Sequence, residues 1–316
     1  MTGWRLLADV GGTNARFARG LADGTVDSIK IFRTADIATF EEALGAYLSK
    51  YGGPEDCEGA AIAAAGPVDD GVVVLTNGTW RIDVREIANL LPSKRVVLLN
   101  DLEAVAAALR NLRGDELAAI GPLTEGQAPT RPMLAVNVGT GLGAACSLLH
   151  HGERFTLATE AGHVRLPLQT EKEVGLLSGL STAECLLSGR GVVDLYTRLQ
   201  GGTSQDPARP ASDATSIFEH AGRDPAARKT CEMFTAMLGR FAGDLALVTL
   251  AWGGVYLCGS VAMGWSKVAD AGAFREAFEG RGAMRYRLKE VPTFVILQDQ
   301  VALHGLARLN LSTRIP

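Results

Sequence analysis

The chain has 316 residues, 47% of them hydrophobic, with 31 Lys plus Arg against 35 Asp plus Glu and a formal net charge of -4. That length suits about two domains with separate cores, and a near-balanced charge without a basic block argues against a nucleic-acid or anionic-membrane partner. Five cysteines (Cys57, Cys146, Cys185, Cys231, Cys258) are scattered without metal-like spacing, and no apolar run reaches the roughly 18 residues of a membrane span, so a cytoplasmic protein with reduced core thiols is expected.

The first element is the strand-like "WRLLADV", an apolar run that carries Asp9 and breaks into Gly11-Gly12-Thr13-Asn14. A carboxylate at the end of a buried strand calls for a partner, a metal or solvent at a cleft, and a glycine turn offers free N–H groups to an anion. "ARFARGL" and "TVDSIKIFRT" follow, joined around Asp23-Gly24, and predict an antiparallel meander. Thr39 and Glu42 form a capping-box pair before a helix with Phe40, Leu44, Tyr47 and Leu48 on one face, ended by Gly52-Gly53. "GAAIAAAG" (59–66) reads as a buried strand, "RIDVREIANLLP" as a helix, and "RVVLLN" as a buried strand running into a helix at Asp101. A meander followed by alternating helices and buried strands predicts a mixed sheet that becomes parallel. The Gly/Pro-rich stretch 121–132 has the composition of a connector.

Beyond it, "LAVNVGTGLGAACSLL" (134–149) repeats the opening layout of apolar strand, polar residue, Gly/Thr turn and second strand. Strand-like "RFTLATE", a long helix opened by Asp224-Pro225 with Phe234, Leu238, Phe241, Leu245 and Val248 on its face, the strands "GGVYLCGS" and "TFVILQ", and a closing helix around 301–309 complete the chain. The expectation is an α/β protein of two duplicated lobes with mixed sheets: a small lobe over 1–112 joined by a closing helix at 298–316, and a large lobe over 113–297. The two Gly/Thr hairpins are expected to face each other across a cleft. No G-x-x-x-x-G-K-[ST] occurs, which excludes a P-loop. "GTGLGA" (139–144) matches the dinucleotide fingerprint in letters, but the segment after it reads as a hairpin around His151-Gly152, whereas a Rossmann turn must open a helix.

Several residues carry ordinary structural readings beside functional ones. Asp101 at a strand-to-helix junction reads first as an N-cap, yet with Asn100 it makes a pair able to grip a hydroxyl and accept its proton. The helix N-terminus predicts an ionised, weakly basic Asp101. Glu160 and His163 flank a glycine in "TEAGHV", which suggests a bend aiming both at one point. Glu184 in "STAECL" also forms a capping-box pair with Ser181.

Together, "LADVGGTNARFA", "TNGTW", "LLNDLEAVAAAL", "VGTGLGAA", "TEAGHV", "STAECLLSGRGVVDLY", "GRFAGDLAL" and "GGVYLCGS" resemble, in order and spacing, the bacterial glucokinases, the hexokinase-type branch of the actin-like ATPase (ribonuclease H-like) fold. The resemblance covers almost the whole chain. It implies ATP-dependent phosphorylation of glucose at the 6-hydroxyl, with Mg2+ as cofactor and Asp101 as base. Asn100, Asp101, Glu160, His163 and Glu184 would bind the sugar. Asp9 would hold Mg2+ through water, Gly11, Gly12, Thr13, Asn14, Gly139 and Thr140 would cradle phosphates, and Gly259 would line the adenosine side. Ser260 replaces a usual second glycine, Ala161 stands where glycine is more usual, and the segment between His163 and Glu184 is shorter than in the family. Those departures leave open a kinase of mannose, fructose or an amino sugar. A non-catalytic sugar sensor is disfavoured by the presence of both Asp9 and Asp101. A homodimer is left open as the assembly.

Overall fold

Trp4–Val10 (β1), Asn14–Gly20 (β2) and Val26–Arg33 (β3) form the predicted antiparallel meander, with Asp9 directly across from Arg16 in the β1–β2 register. They open the first of two units in the computed structural model, which describes residues 3–76, 78–122, 130–201 and 213–311; the units are Met1–Asn111 with Gln300–Pro316, and Leu112–Asp299. Phe40–Tyr51 (α1) is capped by Thr39, whose side chain accepts from Glu42 N. The return bond of the predicted capping box lands one residue early, on Ala38 N. Cys57–Ala64 (β4) joins β1 in parallel. Val72–Val74 (β5) and Arg81–Asp83 (β6) make a small hairpin, so the helix predicted from residue 81 begins only at Val84–Leu90 (α2), where Asp83 caps it through Arg85 N at 2.9 Å. Val96–Asn100 (β7) lies parallel to β4 and leads straight into Asp101–Ala108 (α3).

The resulting sheet order is β3-β2-β1-β4-β7. One face buries Phe17, Phe40, Tyr47 and Trp80, with Phe17 and Phe40 centroids 5.3 Å apart. Burial of several such rings, each worth a few kcal/mol, sets this face inward. The register aligns Val10, Ala64 and Asn100, so the 11–14 turn and the start of α3 emerge at the same carboxyl edge of three parallel strands. In open α/β sheets that edge is where ligands bind.

The second unit begins with Leu117–Ala119 (β8); of the connector predicted at 121–132, residues 123–129 lie outside the described residues. Met133–Val138 (β9), Leu142–His150 (β10) and Glu153–Thr159 (β11) form a second meander. Glu171–Leu176 (α4), Gly189–Leu199 (α5), Ala214–Glu219 (α6) and Pro225–Val248 (α7) precede Val255–Cys258 (β12); Ser260–Ser266 (α8), Ala271–Glu279 (α9) and Arg285–Lys289 (α10) precede Thr293–Ile296 (β13). The order is β11-β10-β9-β12-β13-β8, in which three antiparallel strands are again followed by two parallel ones. The predicted duplication is thus present in topology.

The turn after β9 opens a strand, and β10 returns through His151 and Gly152 at φ of 49° and 84°. A Rossmann helix has no place there. The α7 face buries Phe234, Leu238 and Phe241 as predicted, but Val248, 80% exposed, has rotated off it at the helix end. Gly239 in that helix lets α9 approach, since a Cβ would stand 2.6 Å from Phe274 O.

Val301–Ala307 (α11) belongs to the first unit and packs on α3, where a Cβ on Gly305 would overlap Ala104 O. Arg5 Nη1 donates to Leu309 O at 2.6 Å and ties the end of this helix to β1. Among the described residues no helix is long and apolar enough to cross a membrane. Four of the five cysteines are buried, as predicted, but Cys185 is exposed.

Candidate active site

In the first unit the chemistry gathers where β1 and β7 end. Asn100, not Asp101, is the N-cap of α3: its Oδ1 accepts from Leu102 N at 3.0 Å, Glu103 returns a bond to Asn100 N, and its Nδ2 donates to Gly66 O at 3.1 Å. Asp101 is thereby the first helical residue, relieved of the capping duty, although its Oδ1 also accepts from Leu102 N at 2.9 Å. Its carboxyl is pushed up to about 6, by burial first and by the neighbouring Asp9 charge second. This overturns the expectation of a weak base, because desolvation and a like charge outweigh the helix N-terminus.

Asp9 is also pushed up by burial, against the pull of Arg16, whose Nη1 lies 3.3 Å from Asp9 Oδ2. The Asp9 side chain keeps 17% of its surface exposed, so it can reach a ligand at the strand edge. In the adjoining turn Gly11 N donates to Asn14 O at 2.9 Å, while Thr34 braces it through Gly12 O at 2.7 Å and Thr13 O at 3.0 Å. Asp9 and Asp101 are hard oxygen donors that repel each other, which suits a hydrated Mg2+. Among the described residues no cluster of three His, Cys, Asp or Glu could hold a metal outright.

In the second unit Glu184 sits in the short helical turn Ala183–Cys185 and does not cap it; its Oε2 accepts from Leu142 N at 2.9 Å. Leu142 follows the 139–141 turn, and a Cβ on Gly141 would lie 2.8 Å from that same carboxylate oxygen. Glu160 and His163 point together, with Oε2 and Nε2 3.9 Å apart, and both are open to solvent at 80% and 63% of their side-chain surface. Gly162 between them packs on Leu142 O so closely that a Cβ would overlap it. Leu142 thus touches both predicted sugar-binding stretches, one through its N–H and the other through its carbonyl.

Gly139 N donates to Gly141 O, and Gly189 N at the start of α5 donates to Gly139 O at 2.9 Å. Gly259 stands at φ 95° with Asn137 and Val138 pressed against it. These turns edge a cavity of about 870 Å³, also lined by Glu184, Ser188, Asp194, Asp213, Thr215 and Ser260. Its size suits a nucleotide-sized ligand. Ser188 and Asp213, which cap α5 and α6, and Asp194 and Thr215 within those helices had no local sequence signal, because such residues look alike whether or not a cavity adjoins them.

The sequence model of the glucokinase family matches residues 6–312. The chain is 34% identical over 313 residues to a glucokinase from Paramagnetospirillum magneticum, covering 96% of each, and 35% identical over 323 residues to one from Nitrobacter hamburgensis, covering 98% of each. It belongs to the glucokinase family. A crystal structure of a glucokinase from an Antarctic psychrotroph superposes with a TM-score of 0.84 at 28% identity, covering 97% of this chain and 98% of that one. As a glucokinase the chain catalyses ATP-dependent phosphorylation of glucose.

For a glucokinase on this backbone, Gly259→Ala is expected to be costly. A methyl group would face Asn137 Oδ1 and Val138 O at 2.5 and 2.6 Å, on a φ that side chains avoid. A loss of about 2 kcal/mol or more of stability is expected, read as a lower midpoint in urea with an unchanged slope.

Proposed function

We propose that the phosphoryl group is delivered to the glucose 6-hydroxyl, with Asp101 accepting the hydroxyl proton. The observation that carries this reading is the place of Asp101, the first residue of α3 at the carboxyl edge shared with the 11–14 turn, where burial and Asp9 raise its carboxyl to about 6. A base so poised orients the hydroxyl and takes its proton as the bond to phosphorus forms. Asn100 retains hydrogen-bonding capacity beyond the cap and would hold a neighbouring hydroxyl. Glu160, His163 and Glu184 would bind further sugar hydroxyls. The turn of Gly11, Gly12, Thr13 and Asn14 and the turn of Gly139 and Thr140 would each take a phosphate, through backbone N–H groups other than those of Gly11 and Gly139, which close the turns themselves. Gly259 and the cavity beside it would take adenosine. Mg2+, when bound, neutralises phosphate charge; Asp9 would hold it through water.

Activity should therefore rise with pH through about 6 as Asp101 ionises and level off above it. A flat kcat/KM from pH 5 to 8 would remove Asp101 from the role. Selectivity follows from the hydroxyl partners, since each hydrogen bond that an epimer cannot make loses about 0.5–1.5 kcal/mol, the solvent-open Glu160 and His163 contributing least. ADP release with ATP and Mg2+ across glucose, mannose, fructose and N-acetylglucosamine tests this; a higher kcat/KM for any of the last three would replace glucose as the substrate assigned to these residues. We also propose a cytoplasmic location, supported by the odd, scattered cysteines, and a homodimer, supported by Phe155 and Leu157 exposed on the edge strand β11. Light scattering at two concentrations checks the assembly.

A further inference from the structure

Between His163 and Glu184 the chain makes an excursion that closes at its base, where Ala183 N donates to Val164 O at 2.7 Å. Two arginines from other helices hold it. Arg240 of α7 grips Glu173 of α4 with both terminal nitrogens, Nη2 to Oε1 at 2.6 Å and Nη1 to Oε2 at 3.2 Å, in a pair only 5% and 16% exposed. Glu173 Oε2 also accepts from Gln169 N and Thr170 N. Arg198 of α5 donates from Nη1 to Leu176 O at 3.1 Å and Ser178 O at 3.0 Å, while its Nε holds Asp194 at 2.7 Å. A buried ion pair adds little net stability over an apolar replacement, and Arg240 Nε is left buried without a partner among the described residues. What the arrangement does supply is a fixed position for the excursion relative to α5 and α7.

We propose that Arg198 and the Glu173–Arg240 pair are positioning residues for sugar recognition. They set where Glu184 and His163 stand, and hence the KM for glucose and the discrimination among hexoses, without touching the sugar or the transferred phosphoryl group. This rests on the reading of Glu160, His163 and Glu184 as sugar ligands.

The test is steady-state kinetics with glucose and mannose for Arg198→Lys, Glu173→Gln and Glu184→Gln, with thermal unfolding alongside. Lysine at 198 keeps the charge facing Asp194 but cannot serve two carbonyls and a carboxylate from one planar fork. Arg198→Lys is expected to raise the KM for glucose about tenfold and to narrow the glucose-to-mannose ratio of kcat/KM, with kcat within about twofold and a much smaller rise in the KM for ATP, since Asp194, which Arg198 holds, lines the cavity assigned to the nucleotide. Glu173→Gln should do the same to a greater degree; if it fails to fold, Arg198→Lys decides alone. A lowered melting temperature with an unchanged KM for glucose, or parallel rises in both KM values, would overturn the inference. If Glu184→Gln raises the KM for glucose while Arg198→Lys does not, the inference fails and the sugar-ligand reading stands. Should Glu184→Gln leave that KM unchanged, the reading fails and the inference with it.

Discussion

Asp101→Asn is expected to lower kcat by roughly a thousandfold or more, equivalent to about 4 kcal/mol or more of transition-state stabilisation, while glucose still binds. The substitution keeps an oxygen for Leu102 N and the capping by Asn100 untouched, so the start of α3 should persist. Stability should move the other way. A carboxyl raised from an ordinary 3.8 to about 6 stabilises the fold below pH 3.8, and that contribution is lost as pH rises through 6, because the folded state then holds an ionised group against burial and Asp9. The neutral amide escapes that cost, so at pH 8 the variant should be more stable by up to about 3 kcal/mol. Urea unfolding at pH 4.5 and 8 measures both signs. A folded variant that keeps a tenth of the turnover would remove Asp101 from the chemistry.

The second large effect is expected at Gly162→Ala. Leu142 O fills the space a methyl group needs, and Leu142 N is the donor to Glu184, so the turn 161–163 and the Glu184 carboxylate are displaced through one shared residue. Overpacking against backbone costs about 1–3 kcal/mol, and with three proposed sugar ligands moved together the KM for glucose should rise by more than tenfold. Isothermal titration of glucose and a melting curve separate the two losses. Wild-type affinity in a destabilised protein would show that the turn serves the fold alone.

Elements and their order were legible because their signals are local: the meander turns, the Asp224-Pro225 start of α7 and the hairpin after 139–144 each depend on neighbours in sequence. The repeated layout around Asp9 and Asn137 was legible too, since duplication preserves pattern. What escaped depends on residues far apart. The basicity of Asp101 is set first by its burial and then by Asp9 on β1, neither of which helix capping rules can see. Glu184 looked like a capping residue because Ser181 precedes it at the right distance, yet its partner is Leu142, 42 residues away. Arg240 and Glu173 are separated by 67 residues, so nothing local marks them as partners, although the fold buries them as a pair.

The helix α11 has a consequence for how the molecule is made. The first unit is assembled from two stretches separated by the whole of the second unit, and α11, which packs against α3, is translated only after that unit. While the ribosome is still at work, the second unit can complete its sheet from a contiguous stretch, whereas the first waits with the groove beside Ala104 uncovered. Synthesis order and folding order are thus inverted, and a nascent chain stalled before residue 300 should be protease-resistant downstream of residue 112 and cleavable upstream of it.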